Sequence, residues 1–402
     1  MKYSAQEVIQ YVNEEDVKFI RLAFCDVYGR QKNISIMPKE LPRAFEYGIA
    51  FDASSVGGFG DEANSDLFLR PDPGTLSILP WRPEHGRVVR MYCDIIKPNG
   101  DIYECDTRNV LKKAIAAAKD RGIEFSFGSE LEFYLFKLDE NGNRTDEPYD
   151  KAGYMDMAPE DRGENIRREV CLTLEQMGIY PESSHHEQGP GQNEIDFKYS
   201  DPLTAADDAM AFQTVVKTVA RRNGLYADFS PKPILDKPGN GLHINLSVKN
   251  DENHTILPQV LAGIMKFIKE LTVFLNPTEQ SYQRLGYSKA PKYISWSMGN
   301  RSPLIRIPAA SGEYKRAELR SPDPTANPYL AYALLIYAGL YGISNELDLQ
   351  PAALLNFFKA DDSVLKDYDT LPQNLSEAKE ITLNSEFVSN ILPIEIINIY
   401  CK

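Results

Sequence analysis

Two segments of the chain crowd carboxylates into positions that a cation would relieve. One is Gly128-Ser129-Glu130-Leu131-Glu132-Phe133, the other His185-His186-Glu187-Gln188-Gly189-Pro190-Gly191-Gln192-Asn193-Glu194. Glu130 and Glu132 sit two apart in an aromatic, β-prone stretch, so on a strand both project from one face. Glu187 and Glu194 flank a Gly-Pro-Gly turn that can fold them towards each other. If the four meet, each pair at about 5 Å repels by roughly 3 kcal/mol at an effective dielectric near 20. A bound divalent cation removes that repulsion. For the Glu-x-Glu strand alone, a solvated face is the competing reading.

A histidine and a bank of arginines supply what the acids lack. Gly239-Asn240-Gly241-Leu242-His243-Ile244-Asn245 places His243 at the start of a strand, just after a Gly-rich bend. Alone it carries little weight. With Glu130, Glu132, Glu187, Glu194 and Glu318 it completes an oxygen-rich donor set that suits Mg²⁺ or Mn²⁺ better than zinc. Asn300-Arg301-Ser302-Pro303-Leu304-Ile305-Arg306 carries two guanidinium groups five residues apart. In Lys315-Arg316-Ala317-Glu318-Leu319-Arg320, the side chains of Arg316, Glu318 and Arg320 share a face if the segment is extended. Solvated charge is the plain reading of either arginine segment by itself. Guanidinium forks, however, match carboxylate and phosphate oxygens in pairs. Metal-binding acids beside such forks describe a site for phosphoryl transfer, where positioning and charge neutralisation do most of the catalysis.

Periodicity and punctuation outline the elements that position these residues. Ser4 and Glu7 form a capping-box pattern ahead of Val8, Ile9 and Val12, predicting a first helix. Strand-like runs span Val17 to Phe24 and Lys32 to Ile36 around a Tyr28-Gly29 turn. Phe51 to Gly60 is expected as a loop, and a strand at Val88 to Ile96. Thr107 is expected to cap an amphipathic helix that stops at Gly122. A domain boundary near residue 100 divides the chain into 1–100 and 101–402. In the larger part, strands are expected at Glu124 to Phe136, Asn193 to Lys198 and Leu242 to Val248. Helices are expected at Glu164 to Met177, Ala205 to Arg222, Ile256 to Leu275 and Pro328 to Ile343. Segregated strands and helices indicate an α+β architecture.

Composition narrows the class. The 402 residues are 43% apolar and 25% charged, as in an ordinary globular protein. A net charge of −14 argues against nucleic acid and anionic membrane as partners. An anionic substrate such as ATP then needs a locally positive pocket. Met1-Lys2-Tyr3-Ser4-Ala5-Gln6-Glu7 lacks a signal-peptide core, and no apolar run has bilayer length. The five cysteines (Cys25, Cys93, Cys105, Cys171, Cys401) show no Cys-x-x-Cys spacing. They read as reduced thiols of a cytoplasmic protein, and no pair supports structural zinc.

Taken in order, the segments Gly-Ser-Glu-Leu-Glu-Phe, His-His-Glu…Gly-Gln-Asn-Glu-Ile, Gly-Asn-Gly-Leu-His, Asn-Arg-Ser…Arg-Ile-Pro and Glu-Leu-Arg-Ser-Pro-Asp-Pro resemble the glutamine synthetase family, bacterial type I. Phe51 to Gly58 resembles its N-terminal Asp-Gly-Ser-Ser loop, so the likeness covers nearly the whole chain. The resemblance implies an N-terminal β-grasp-like domain and a C-terminal catalytic domain whose antiparallel sheet forms a funnel surrounded by helices. It also implies a homo-oligomer, usually a double hexameric ring, in which the Asp52 loop completes a neighbour's site. Carried over by position, Glu132, Glu187 and Glu194 would hold one metal and Glu130, His243 and Glu318 another, with two or three Mg²⁺ or Mn²⁺ per site. Arg284, Arg301 and Arg320, with backbone near Gly239, would hold glutamate. Arg301, Arg306 and Arg316, with Asn245 and Ser247, would face ATP. Asp52, Ser55, Tyr154 and Lys289 would border the acceptor amine, and Asp52, Arg301 and Glu318 would be catalytic. The implied reaction joins ammonia to the γ-carboxylate of glutamate through γ-glutamyl phosphate.

The chain departs from the family pattern in a few places. The flap usually reads Tyr-Glu-Ala-Pro or Phe-Glu-Ala-Pro, whereas Tyr287-Ser288-Lys289-Ala290-Pro291 puts Lys289 where the glutamate belongs. That two-unit charge change disfavours NH₄⁺, or else Lys289 points to solvent and leaves catalysis to Asp52. Leu365-Lys366-Asp367-Tyr368-Asp369-Thr370-Leu371-Pro372 differs from the Asn-Leu-Tyr-Asp-Leu-Pro of adenylylated members, so that control is not expected. Asn245 stands where many members have a histidine, and Glu313 where some have a lysine. Three readings stay open: glutamine synthesis, a γ-glutamyl ligase using another amine, and a catalytically silent ring-forming relative. The intact metal positions weigh against the last.

Overall fold

The computed structural model describes residues 3–60, 63, 65–82, 85–250, 255–309 and 316–402, so Glu313 and Lys315 lie outside the described residues. Two compact units emerge, Met1–Val110 with Leu172–Ile179, and Leu111–Cys171 with Tyr180–Lys402.

The first unit opens with helix α1 (Ala5–Glu14). The Ser4 hydroxyl accepts from the Glu7 N–H and the Glu7 carboxylate from the Ser4 N–H, so the capping box forms as expected. Six strands follow: β1 (Val17–Cys25), β2 (Gln31–Ile36), β3 (Ile49–Asp52), β4 (Asp66–Pro71), β5 (Ser77–Ile78) and β6 (Arg87–Ile96). They form one sheet in the order β2-β1-β6-β4-β3, with β5 on β6. Helix α2 (Leu41–Tyr47), seven residues long, was too short to announce itself by periodicity. Phe51 to Gly60 is not all loop, because β3 runs to Asp52 and a single 3₁₀ turn, Ala53–Ser55, follows. Nor does Thr107 cap the next helix. Thr107 is the first residue of α3 (Thr107–Lys119), and the Asp106 carboxylate accepts the Arg108 N–H at 3.0 Å. Asp106 also takes the Ile95 N–H at 3.0 Å, a long-range bond that the local pattern did not reveal.

The second unit is organised by one strand, β7 (Ile123–Leu138). Its alternation sends Phe125, Phe127, Leu131, Phe133 and Leu135 into the core, leaving Gly128, Glu130 and Glu132 on the opposite face. The remaining strands are β8 (Arg144–Pro148), β9 (Pro181–His186), β10 (Gln192–Phe197), β11 (Leu225–Asp228), β12 (Leu242–Asn250), β13 (Trp296–Met298), β14 (Ile305–Ile307) and β15 (Ala317–Leu319). The sheet runs β13-β14-β15-β12-β7-β10-β9, with β8 and β11 also on β7. Helices α4 (Glu164–Gln176), α5 (Pro202–Arg222), α6 (Leu257–Leu275), α7 (Glu279–Arg284) and α8 (Pro328–Ser344) accompany it. Phe127 stacks on Tyr332 of α8 with ring centroids 4.5 Å apart, and Phe133 meets Phe212 of α5 edge-on at 6.2 Å. The α+β expectation is met.

Helix α8 is apolar on every side and largely buried, which requires close neighbours all round. Glycines make that approach possible. A Cβ on Gly342 would overlap the Gln259 carbonyl of α6, and one on Gly263 the Ala338 carbonyl of α8. Gly342→Ala would gain about 1 kcal/mol of helix propensity. The clash is with backbone that cannot step aside, so overpacking of about 1–3 kcal/mol should prevail. Thermal denaturation of Gly342→Ala should therefore show a lowered midpoint; an unchanged or raised midpoint would mean the helices separate freely.

Candidate active site

Strand register brings the predicted acids into rows. Across β10, β7 and β12, Asp196, Glu130 and His243 are direct partners, and one pleat further Glu194 faces Glu132 while His185 of β9 faces Glu194. On the other flank Glu318 of β15 lies between Arg306 of β14 and Asn245 of β12. Like charges opposite one another on a sheet are unfavourable. Here the rows are repeated, and they floor a cavity of about 420 Å³ rimmed by Arg284, Arg301, Arg306, Arg316 and Arg320.

The turn predicted between Glu187 and Glu194 forms. The Glu187 N–H donates to the Gln192 carbonyl at 2.8 Å and the Gln192 N–H to the Gly189 carbonyl at 3.0 Å. Gly189 is obligatory, because a Cβ there would run into the Tyr134 hydroxyl, and Gly191 is left-handed at φ 67°. Behind this hairpin lies a buried ionic support. Both ring nitrogens of His186 face acceptors, the Glu187 carbonyl at 2.6 Å and the Asp150 carboxylate at 2.8 Å, so both must carry protons. Burial opposes that charge, but the bond and charge of Asp150 outweigh it and raise the His186 pKa. Arg167 meanwhile bridges Asp161 at 2.5 Å and Asn193 at 2.6 Å. Residues next to Glu187 and Glu194 are thus anchored, which fixes the two acids.

Three ligand atoms within 4.8 Å of one another come together at Glu130, His243 and Glu318, the set expected for one metal. The other expected set is divided. Glu132 and Glu194 group with His243, whereas Glu187 groups with Glu194 and His185. Glu187 is engaged by His185 Nε2 at 3.1 Å and by the Gln188 N–H at 2.9 Å. Glu132 accepts the Gly241 N–H at 2.7 Å.

Protonation follows from these neighbours. Burial pushes the Glu130 carboxyl up, but His243 and Asn245 bonds and the Arg316 charge hold it at about 2. Burial, then the charges of Glu132, Asp196 and Glu130, drive Glu194 well above its ordinary value. Burial and Glu130 raise Asp196 to about 6. Acids that share buried space at such different values are a site short of positive charge, and the oxygen-rich donor set fits a hard divalent cation.

The arginines are less uniform than their shared face suggested. Glu318 is clamped by Arg306 at 2.7 Å and by Arg320 at 3.0 Å. Arg284 is buried and spends its guanidinium on the carbonyls of Ser321 (2.7 Å) and Arg320 (3.2 Å), packing against Gly239 and Gly241. Arg316 donates to the Asn245 side chain at 2.9 Å, and Asn245 donates to Glu130 at 2.7 Å. Both ends of the Asn245 amide are therefore committed to protein groups. Ser247 pairs with Ser126 further along β12 and does not line the cavity. The Arg301 side chain lines it and makes no hydrogen bond among the described residues. Gly239, Tyr154 and Lys289 line it too. Asp52 and Ser55 belong to the first unit, where the Asp52 carboxylate accepts the hydroxyls of Ser54 at 2.6 Å and Ser55 at 2.8 Å.

Comparison with known proteins bears directly on this arrangement. Residues 104–402 match the glutamine synthetase catalytic domain and residues 16–98 the glutamine synthetase beta-Grasp domain. The chain belongs to the glutamine synthetase family. A glutamine synthetase of Clostridium saccharobutylicum is 46% identical over 97% of this chain and 92% of the relative. One of Methanosarcina mazei is 45% identical over 96% and 90%. Among solved structures, a GmaS/ADP complex superposes with a TM-score of 0.89 at 27% identity, covering 100% of this chain and 94% of that one. The cryoEM structure of Plasmodium falciparum glutamine synthetase gives 0.87 at 25% identity, covering 100% and 95%.

For this glutamine synthetase family member, the polar residues of the cavity that sequence reasoning overlooked include His185, Gln192 and Asp196. Asp196 stands two after Glu194 and His185 two before Glu187, so the spacing rule applied to Glu130 and Glu132 would have found both once the strands were drawn. Gln192 gave no signal; its amide reaches Glu132 at 3.3 Å and the Gly239 carbonyl at 3.2 Å only in the folded sheet.

The raised acids carry a stability consequence. With Asp196 at about 6 in the fold against an ordinary 3.8, the folded state holds the extra proton. Its contribution is present at low pH and is lost as pH rises from about 4 to about 6. Asp196→Asn should flatten that part of the metal-free stability profile, measured by thermal melts across pH. Mg²⁺ should raise the wild-type midpoint above about pH 6, where the proton on Asp196 no longer competes with the cation. An absent Mg²⁺ response there would remove the cation reading.

Proposed function

We propose that the chain ligates ammonia to the γ-carboxylate of glutamate at the expense of ATP, through γ-glutamyl phosphate, releasing glutamine, ADP and phosphate. The carrying observation is the cluster of Glu130, His243 and Glu318, of which Glu130 and His243 line a cavity shared with the uncommitted guanidinium of Arg301. Curated relatives at 45–46% identity are named glutamine synthetases, which favours ammonia over another amine as acceptor. An intact acid set disfavours a silent relative.

Roles follow from position. Glu130, His243 and Glu318 would hold one Mg²⁺ or Mn²⁺, and Glu132, Glu187 and Glu194 a second, with room for a third beside Asp196. Bound there, the ions supply neutralising charge for the phosphates. Arg301, whose guanidinium is uncommitted, would meet the transferring phosphoryl group and the glutamate carboxylate; Arg306 and Arg316 would meet the nucleotide phosphates. Asn245 would orient Glu130 and Arg316 towards ATP, with Ser247 further from the phosphates. Arg284 and Arg320, with the Gly239 backbone, would form the wall against which glutamate lies. A carboxylate is a poor electrophile, so its phosphorylation must come first. Ammonium has no lone pair, so a base must then take its proton, and Asp52 with Ser55 and Tyr154 would do so. Asp52, depressed chiefly by its Ser54 and Ser55 bonds, stays ionised for that task.

We assign residues 1–100 to the β-grasp-like part and 101–402 to the catalytic part. The assembly is proposed as a double hexameric ring in which the Asp52 loop serves a neighbouring copy. Among the described residues no helix is long and apolar enough to cross a membrane. A cytoplasmic role in nitrogen assimilation suits the substrates.

Two variants test the assignment. Glu318→Ala should reduce glutamate- and Mg²⁺-dependent phosphate release by about 10³-fold while the rings remain assembled by size-exclusion chromatography. Retained turnover would break the metal assignment. Asp52→Asn should slow glutamine formation by about 10²-fold or more, yet leave γ-glutamyl phosphate trappable by hydroxylamine. Equal loss of both would deny Asp52 the proton-transfer role.

A further inference from the structure

The flap of this chain carries a cation that the reaction does not need. The flap backbone is pinned on both sides of Lys289. The Tyr287 N–H donates to the Arg284 carbonyl at 3.0 Å and the Ala290 N–H to the Tyr287 carbonyl at 3.1 Å. The Tyr287 hydroxyl reaches the Asp236 carbonyl at 3.0 Å, and the Tyr287 ring lies 3.4 Å from the Lys232 ammonium. Between these anchors Ser288 is left-handed at φ 55°, an uncommon conformation for a residue with a Cβ. Arg320 Nη1 holds the Lys289 carbonyl at 3.2 Å. So constrained, the Lys289 side chain projects into the cavity, with Nζ 5.0 Å from the centroid of the Tyr154 ring. Its charge also reaches Glu187, whose carboxyl is depressed, against burial, first by His185 and then by Gln188 and Lys289.

An aromatic face beside a carboxylate is the recognition chemistry of an ammonium group. Lysine presents that same group on a flexible stem. We infer that Lys289 is a tethered internal ammonium seated where the acceptor must bind, and that its displacement sets the affinity for the acceptor. This rests on the reading of the Tyr154 and Glu187 side of the cavity as the acceptor side. Two ammonium groups cannot share the seat, so acceptor affinity is scaled down by the fraction of time the lysine is elsewhere. The lysine is exposed and makes no hydrogen bond through Nζ among the described residues, so it is free to swing out. Any larger amine would have to expel it as well, which keeps the seat small while the flap stays in place. The role is that of a specificity-determining residue.

Steady-state kinetics of glutamine formation, with ammonium varied at saturating ATP, glutamate and Mg²⁺, test this. Lys289→Met removes the charge and keeps an unbranched stem one atom shorter; Lys289→Arg keeps the charge. The methionine variant should lower the KM for ammonium by about ten-fold, equivalent to about 1.4 kcal/mol. Its KM values for glutamate and ATP should stay within about two-fold of wild type, and the arginine variant should keep the high ammonium KM. An ammonium KM unchanged or raised in Lys289→Met would overturn the inference and leave the ligase reading standing. No glutamine from ammonium in the wild-type enzyme would instead overturn the ligase reading beneath it. Because the side chain is exposed, neither substitution should disturb the core, and thermal melts should show midpoints close to wild type for both variants.

Discussion

Repulsion among carboxylates on one face of a single strand is the constraint around which the second unit is built. Glu130 and Glu132 face Asp196 and Glu194 directly across the β7–β10 ladder, and burial raises the energy of each charge further. The fold does not avoid this arrangement. It stabilises it with aromatic packing on the other face of β7, where Phe127 and Phe133 hold the strand against α8 and α5. A register slip by one residue would send the acids into that core and the phenylalanines into the cavity, so register and site are specified by the same alternation.

Positive charge answers the acids in two layers. Inside the cavity, His243, Arg306 and Arg320 contact Glu130 and Glu318. Behind it, the pairing of Asp150 with His186 and of Asp161 with Arg167 locks the hairpin that carries Glu187 and Glu194. Buried ion pairs of this kind contribute little net stability, but they make a single arrangement favourable. Arg284 shows the same economy, holding the carbonyls of Arg320 and Ser321 so that the strand bearing Glu318 ends in a fixed place. The result is a cavity whose wall groups are pre-set, as electrostatic catalysis of phosphoryl transfer demands. Arg301 and Lys289 are the exceptions: both are exposed, line the cavity and make no side-chain hydrogen bond among the described residues.

Much of the fold was legible before any coordinates. The long alternating run at β7, the capping box at Ser4 and Glu7, and the helices from Pro202, Leu257 and Pro328 each carry a local signal strong enough to survive folding. Short elements were not legible. Helix α2 and the three-residue strands β13, β14 and β15 hold too few residues for a period to show, and they exist because neighbouring strands offer them hydrogen-bond partners. Asp106 took the capping role expected of Thr107 because its carboxylate also serves the Ile95 N–H of β6.

The amino-acid sequence by itself determined which side chains could do chemistry and which of them would share a strand face: Glu130 with Glu132, and Arg316 with Glu318 and Arg320. It did so because side-chain direction on a strand depends only on residue parity. Tertiary structure alone decided which strands lie next to each other. That choice placed Asp196 against Glu130, set His185 rather than Glu132 beside Glu187, committed Asn245 to Glu130 and Arg316, and brought Lys289 over Tyr154. These pairings depend on strand order, loop anchoring and burial, quantities that belong to the whole packed chain and have no counterpart in any local run of residues.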